Sequence, residues 1–163
     1  MKVLLTTYLR MKQHHNKYSV LRDLGFSLLA EGKVLKIKAD GYSMYPSIRP
    51  GSVIFIEPLE EESGPVPGEI IAWKRESGFV IHRLVRIVRE GNEIKYFTKG
   101  DSCGNEDQPV TWELIAGKVV RVENRKNKLI AGSHLLRKPC YYINRLVVWL
   151  ILKTKRLLEI FLK

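Results

Sequence analysis

The chain has little of what would staple, anchor or metallate it. Among 163 residues there are two cysteines, Cys103 and Cys140. Two cannot build a disulfide framework, and their spacing fits no metal site. The simplest setting is a reducing, cytoplasmic one, and no metal or other cofactor is expected. Long apolar runs are also missing. Met1 to Tyr18 is mixed and basic, with no stretch suited to a secretory signal or membrane span. Near the other end, Leu146 to Leu152 is unbroken but only seven residues long, far below the roughly 20 needed to cross a bilayer. Histidine is scarce too: His14 and His15 lie in a polar stretch and His134 near the C-terminal end, so only His82, alone in an apolar run, has a setting that suggests chemistry.

Acidic residues are unevenly absent. The net charge is +11, but residues 1–33 carry six basic and two acidic side chains, 34–120 carry eleven and thirteen, and 121–163 carry eleven and two. The excess lies in the two ends, so the middle offers no electrostatic footprint for a phosphate backbone and no nucleic acid is expected as a partner.

At 45% hydrophobic and 28% charged, the chain reads as one globular domain with appendages. Three segments follow: 1–33, with a short amphipathic helix from Tyr18 to Glu31 stopped at Gly32; a β-rich unit, 34–125; and a basic segment, 126–163, with an amphipathic helix. In the first, Val20, Leu21, Leu24, Leu28 and Leu29 recur at helical spacing. In the second, Leu35, Ile37 and Ala39 alternate with Lys36, Lys38 and Asp40, as in a half-buried strand. Val53–Ile56, Glu69–Lys74, Phe79–Val88, Ile94–Thr98 and Leu114–Val122 read as further strands, with a hairpin connection over 89–93 and an acidic, exposed loop over 60–68. The fold class expected is mainly β, closed or partly closed.

One stretch is set up to hold a nucleophile. In Gly41-Tyr42-Ser43-Met44-Tyr45-Pro46, a lone hydroxyl stands between a glycine and a turn stiffened by Pro46 and Pro50. A serine hydroxyl needs a base, and neutral imidazole suits that task, which singles out His82. The imidazole in turn needs a carboxylate to hold its tautomer. The turn Lys99-Gly100-Asp101-Ser102-Cys103-Gly104-Asn105-Glu106-Asp107 offers both Asp101 and Asp107. Each residue also has an ordinary reading: serine and aspartate as turn formers, histidine as a satisfied strand residue, Lys99 as a solvated strand-end charge and Cys103 as incidental.

Taken in order, these stretches resemble a known family. Gly41 to Pro46 with Pro50-Gly51-Ser52-Val53, Pro67-Gly68-Glu69-Ile70-Ile71-Ala72, Ile81-His82-Arg83-Leu84-Val85, Thr98-Lys99-Gly100-Asp101 through Asp107, and Ile115-Ala116-Gly117-Lys118-Val119-Val120 resemble the type I signal peptidase and LexA-like peptidase superfamily over about residues 34–122. The resemblance implies a barrel-type β peptidase domain. With His82 where many members have lysine, it implies the Ser-His type found in archaeal and endoplasmic-reticulum signal peptidases. Ser43 would be nucleophile, His82 general base and Asp107 the orienting acid, with Asp101 shaping the loop. Gly41 and Met44 would lie against an extended substrate, and the Ser43 amide would serve the oxyanion hole. Many members place a serine hydroxyl where this chain has Gly41.

The function this implies is a serine endopeptidase acting on a protein or peptide precursor. Two other classes stand beside it: a LexA-like self-cleaving DNA-binding regulator, disfavoured by the −2 middle and the short N-terminal segment, and a non-catalytic module binding a membrane surface or a partner. The helix from Tyr141 has two readings of equal weight. It either lies in an anionic membrane interface, through its basic residues beside Trp149 and Phe161, or packs on the domain or a partner subunit.

Overall fold

A computed structural model describes residues 23–60, 64–75, 78–126, 128–130 and 135–161. His14, His15, His134 and the first part of the expected N-terminal helix lie outside the described residues. The architecture is mainly antiparallel β, with a helix at each end.

The strands are β1 (Leu35–Lys38), β2 (Val53–Glu57), β3 (Ile70–Arg75), β4 (Gly78–Glu90), β5 (Glu93–Lys99), β6 (Ile115–Glu123) and β7 (Leu129–Ile130). One sheet orders them β1-β2-β6-β3-β4-β5, with β7 paired to β6. The strands fall where apolar alternation and β-branched residues place them. Gly91-Asn92 forms the two-residue turn between β4 and β5, and Gly91 takes a φ of +61°.

β3 is central in this order and is buried on both faces, which explains its continuous apolar start. Ile70 and Ala72 enter one core with Leu29, Leu35, Met44, Ile48, Ile54, Ile56, Val122 and Leu135. Ile71 enters the other with Leu84, Tyr96 and Val110. Gly117 lets β6 approach β2 closely: a β-carbon there would lie 2.2 Å from the Glu57 carbonyl oxygen, and the β2–β6 ladder slips between Phe55 and Ile56.

The N-terminal helix, α1, covers residues 23–30 of the described chain. It ends as the sequence predicts, with Gly32 at φ +78°. The Gly32 amide donates to Leu29 O and the Lys33 amide to Leu28 O, the paired bonds of a Schellman cap. Leu28 and Leu29 face the core as the leucine spacing suggests, but Leu24 does not. Leu24 is exposed, whereas Gly25 is buried and Phe26 meets the Phe79 ring at 4.2 Å. The bare Gly25 backbone gives Phe79 room, since a β-carbon there would lie 3.1 Å from its ring.

The segment after 125 is tied into this body. β7 pairs β6, and Leu135 is a core residue. The C-terminal helix, α2 (Tyr141–Phe161), is anchored where Asn144, itself buried, donates to the Asp101 carbonyl at 2.9 Å. Ile151 and Lys155 continue the Asn144 stripe at helical spacing, and Lys155 donates to the Tyr42 hydroxyl at 2.6 Å. The opposite face, with Tyr142, Leu146, Trp149 and Leu150, is exposed. Among the described residues no helix is long and apolar enough to cross a membrane.

Candidate active site

β4 carries His82. Its ladder sets His82 opposite Ile71 on β3, while Arg83 and Leu84 face Lys99 and Thr98 on β5. The loop that leaves β5 therefore starts beside His82. Successive strand residues point to opposite faces, so His82 and Arg83 diverge and each meets a different aspartate of that loop.

On one side, His82 Nδ1 lies 2.6 Å from Asp107 Oδ2. The same oxygen accepts the Thr98 hydroxyl at 2.6 Å, and the Asp107 amide donates to Thr98 O. Burial by itself raises the Asp107 carboxyl. Hydrogen bonds from His82 and Thr98, with the charges of His82 and Arg75, outweigh it and hold the group below the usual carboxylate range. Asp107 is thus an anion fixed on Nδ1, which leaves Nε2 as the nitrogen free to work.

On the other side, Asp101 is fully buried. Arg83 grips it with two bonds, Nε to Oδ1 and Nη2 to Oδ2, each 2.8 Å. Ser47 donates to Oδ2 at 2.5 Å, and Arg83 Nη1 donates to the carbonyls of Gly68 and Leu135. Neither oxygen of Asp101 reaches His82. Its contacts join the Ser43 turn, β4 and the base of α2.

Ser43 and His82 both approach Gly100. A β-carbon on Gly100 would sit 2.8 Å from the Ser43 carbonyl oxygen, 3.1 Å from His82 Nε2 and 2.6 Å from Cys103 Sγ. The absence of a side chain at Gly100 is what allows these three residues to converge. Ser102 fixes the turn by donating its amide to Ser43 O at 2.9 Å and its hydroxyl to Tyr42 O at 2.7 Å. In this resting arrangement the Ser43 hydroxyl makes no hydrogen bond to His82, and the Ser43 amide donates to no described backbone acceptor.

The other candidates are placed as follows. Met44 is buried in the core, so its side chain supports the turn and only its backbone can face a substrate. Gly41 is exposed and a β-carbon there would come no closer than 4.0 Å to Ser43 N; neither a positive φ nor crowding demands glycine. Lys99 Nζ lies over the Tyr141 ring, 4.2 Å from its centre. The Cys103 thiol is pushed up by burial and then by the Asp107 charge, so it stays protonated at neutral pH and is a poor nucleophile. Among the described residues no cluster could hold a metal ion.

Sequence reasoning missed Thr98, Arg83 and Ser47. Arg83 did carry a signal: an arginine in the apolar run Val80-Ile81-His82-Arg83-Leu84 has to find a carboxylate once buried. No known family model matches the chain, and no curated protein matches it.

Proposed function

We propose that the chain is a serine endopeptidase of the Ser-His-Asp kind, with a barrel-type β fold like that of signal peptidase I, cleaving a protein or peptide precursor. The observation that carries this reading is the His82–Asp107 pair at 2.6 Å, with Nε2 beside the Ser43 turn across Gly100. In the reaction, His82 Nε2 takes the Ser43 proton as Oγ attacks the scissile carbonyl. The same proton passes to the leaving amine, and a water activated by His82 then hydrolyses the acyl-enzyme. Asp107 holds Nδ1–H and stabilises the imidazolium. The unused Ser43 amide is suited to the developing oxyanion. Because Ser43 Oγ is not bonded to His82 at rest, substrate binding has to bring the two together, as catalytic hydrogen bonds commonly tighten only in the complex.

β1 lies at the edge of the sheet and, among the described residues, pairs only with β2. An extended substrate can add to its free edge and run toward Ser43. The exposed apolar face of α2, flanked by Lys153 and Arg156, favours work at an anionic membrane surface. Sedimentation with phosphatidylglycerol but not phosphatidylcholine vesicles is the expected result, and equal recovery in both supernatants would remove the membrane from the proposal.

The test of the activity is to incubate the protein and its Ser43→Ala variant with a mixed peptide library and read new termini by mass spectrometry. Cleavage by the wild type alone is expected. The same cleavage by both, or none by either, would overturn it.

A further inference from the structure

Five cations converge on a groove beside the nucleophile turn. Lys38, Arg49, Arg125, Lys126 and Lys155 line an open cavity of about 620 Å³ together with Tyr42, Ser52 and Ile151, and among the described residues Asp40 is its one acidic residue. None of the five forms an ion pair with a described carboxylate, although Lys33, Arg83, Arg86, Lys95, Lys118 and Arg121 all do. Their contacts are to other groups: Lys155 to the Tyr42 hydroxyl, Arg49 over the Tyr45 ring, Arg125 against Gly51. Beneath them, the Ser52 hydroxyl is buried with no partner among the described residues. Five cations held together against a single carboxylate, none of them in an ion pair with a described carboxylate, repel one another and favour an anionic ligand.

We propose that this groove receives an acidic stretch of the polypeptide whose scissile bond lies at Ser43, an inference that rests on the peptidase reading. Continuity argues for a polypeptide: Tyr42 is both a wall of the groove and the residue before Ser43, so a chain leaving the active site crosses these cations. Orientation argues against a lipid headgroup. Ile151 and Lys155 belong to the docked stripe of α2, opposite the exposed Leu146–Trp149 face, so a membrane met by that face lies on the far side of the helix from the groove. Acidic side chains would also be drawn to the protein by its net charge of +11.

The test uses the full-length Ser43→Ala protein, so that binding is read without cleavage. A fluorescein-labelled peptide of Ala, Gly and Ser bearing a run of Glu is compared with its Gln counterpart by anisotropy. The Glu peptide is expected to bind about tenfold or more tighter at low salt, as several exposed charge pairs of up to about fivefold each allow, and to lose that advantage in high salt. Lys38→Glu/Lys126→Glu, at two exposed positions, removes the preference; Arg89→Glu, on the distant β4–β5 hairpin, does not. Equal binding of the two peptides, or a preference untouched by the double change, would overturn the assignment. So would phosphatidylglycerol vesicles binding through Lys38 and Lys126 while the Glu peptide does not bind. Binding of the Glu peptide with no library cleavage by the wild type would sink the peptidase and leave the groove assigned. Library cleavage without acidic preference would do the reverse.

Discussion

Asp101 and Asp107 hang from one loop, six positions apart, and the sheet makes them opposites. Asp101 is saturated: both oxygens are taken by Arg83 and Ser47, its carbonyl by Asn144, and no solvent reaches it. Asp107 remains about a quarter exposed at its side chain and shares one oxygen between Thr98 and His82. A carboxylate whose partners are an arginine and several elements of structure holds a fold together, because any change of charge there strands a buried ion. A carboxylate hydrogen-bonded to a partly exposed imidazole can instead hold the ring's tautomer and support a charge on it. Alternation along β4 makes the division, sending Arg83 to one face and His82 to the other.

The sharpest way to break this comparison is to neutralise each aspartate in turn. Asp107→Asn is expected to lower peptide cleavage by about four orders of magnitude, through the wrong imidazole tautomer, with unfolding free energy changed by only about 1 kcal/mol. Asp101→Ala is expected to cost about 3–5 kcal/mol of stability, because Arg83 is left buried without its counterion. Urea unfolding and cleavage rates on both variants check the pair. Asp101→Ala that unfolds like wild type, or Asp107→Asn that cleaves like wild type, would erase the distinction.

Much of the frame was legible in the sequence because alternation and turn residues are local signals. β1 to β6 and the Gly32 cap needed nothing beyond neighbours within a few residues. What escaped depends on partners far away. Leucine spacing placed Leu28 and Leu29 inward correctly, but at the start of the described helix the Phe79 ring sets the face, so Gly25 and Phe26 turn inward and Leu24 does not. At the site, Ser43 and His82 were visible as candidates. Spacing alone left the two aspartates equivalent, since only the opposed directions of His82 and Arg83 separate them. The basic groove was invisible for the same reason: residues 38, 49, 125, 126 and 155 share no sequence pattern.

Gly100 joins the two sides, and filling it tests whether their closeness matters. An added methyl group would press on the Ser43 carbonyl, His82 Nε2 and Cys103 Sγ. Sulfur and ring can shift, but the carbonyl belongs to backbone already held by Ser102. Gly100→Ala is therefore expected to cost about 1–3 kcal/mol, as overpacking does, and to depress cleavage more than that loss of folded protein explains. Gly41→Ala, where there is open space, serves as its control, with stability within about 0.5 kcal/mol of wild type. If Gly100→Ala cleaves normally, the approach of Ser43 and His82 over this glycine is incidental to activity.

The smallest effect concerns acid. The folded Asp107 carboxyl titrates below its unfolded value, so the group binds fewer protons in the native state than in the unfolded chain as pH falls. Its contribution is complete above the unfolded carboxylate value, near pH 4. It is lost as pH drops through the lower, folded value. Wild type should therefore lose stability over this acid window more steeply than Asp107→Asn. Acid titration followed by circular dichroism reads the difference. Curves that stay parallel below pH 4 would mean that the hydrogen bonds from His82 and Thr98 do not favour the Asp107 anion, and the electrostatic half of the contrast with Asp101 would fall.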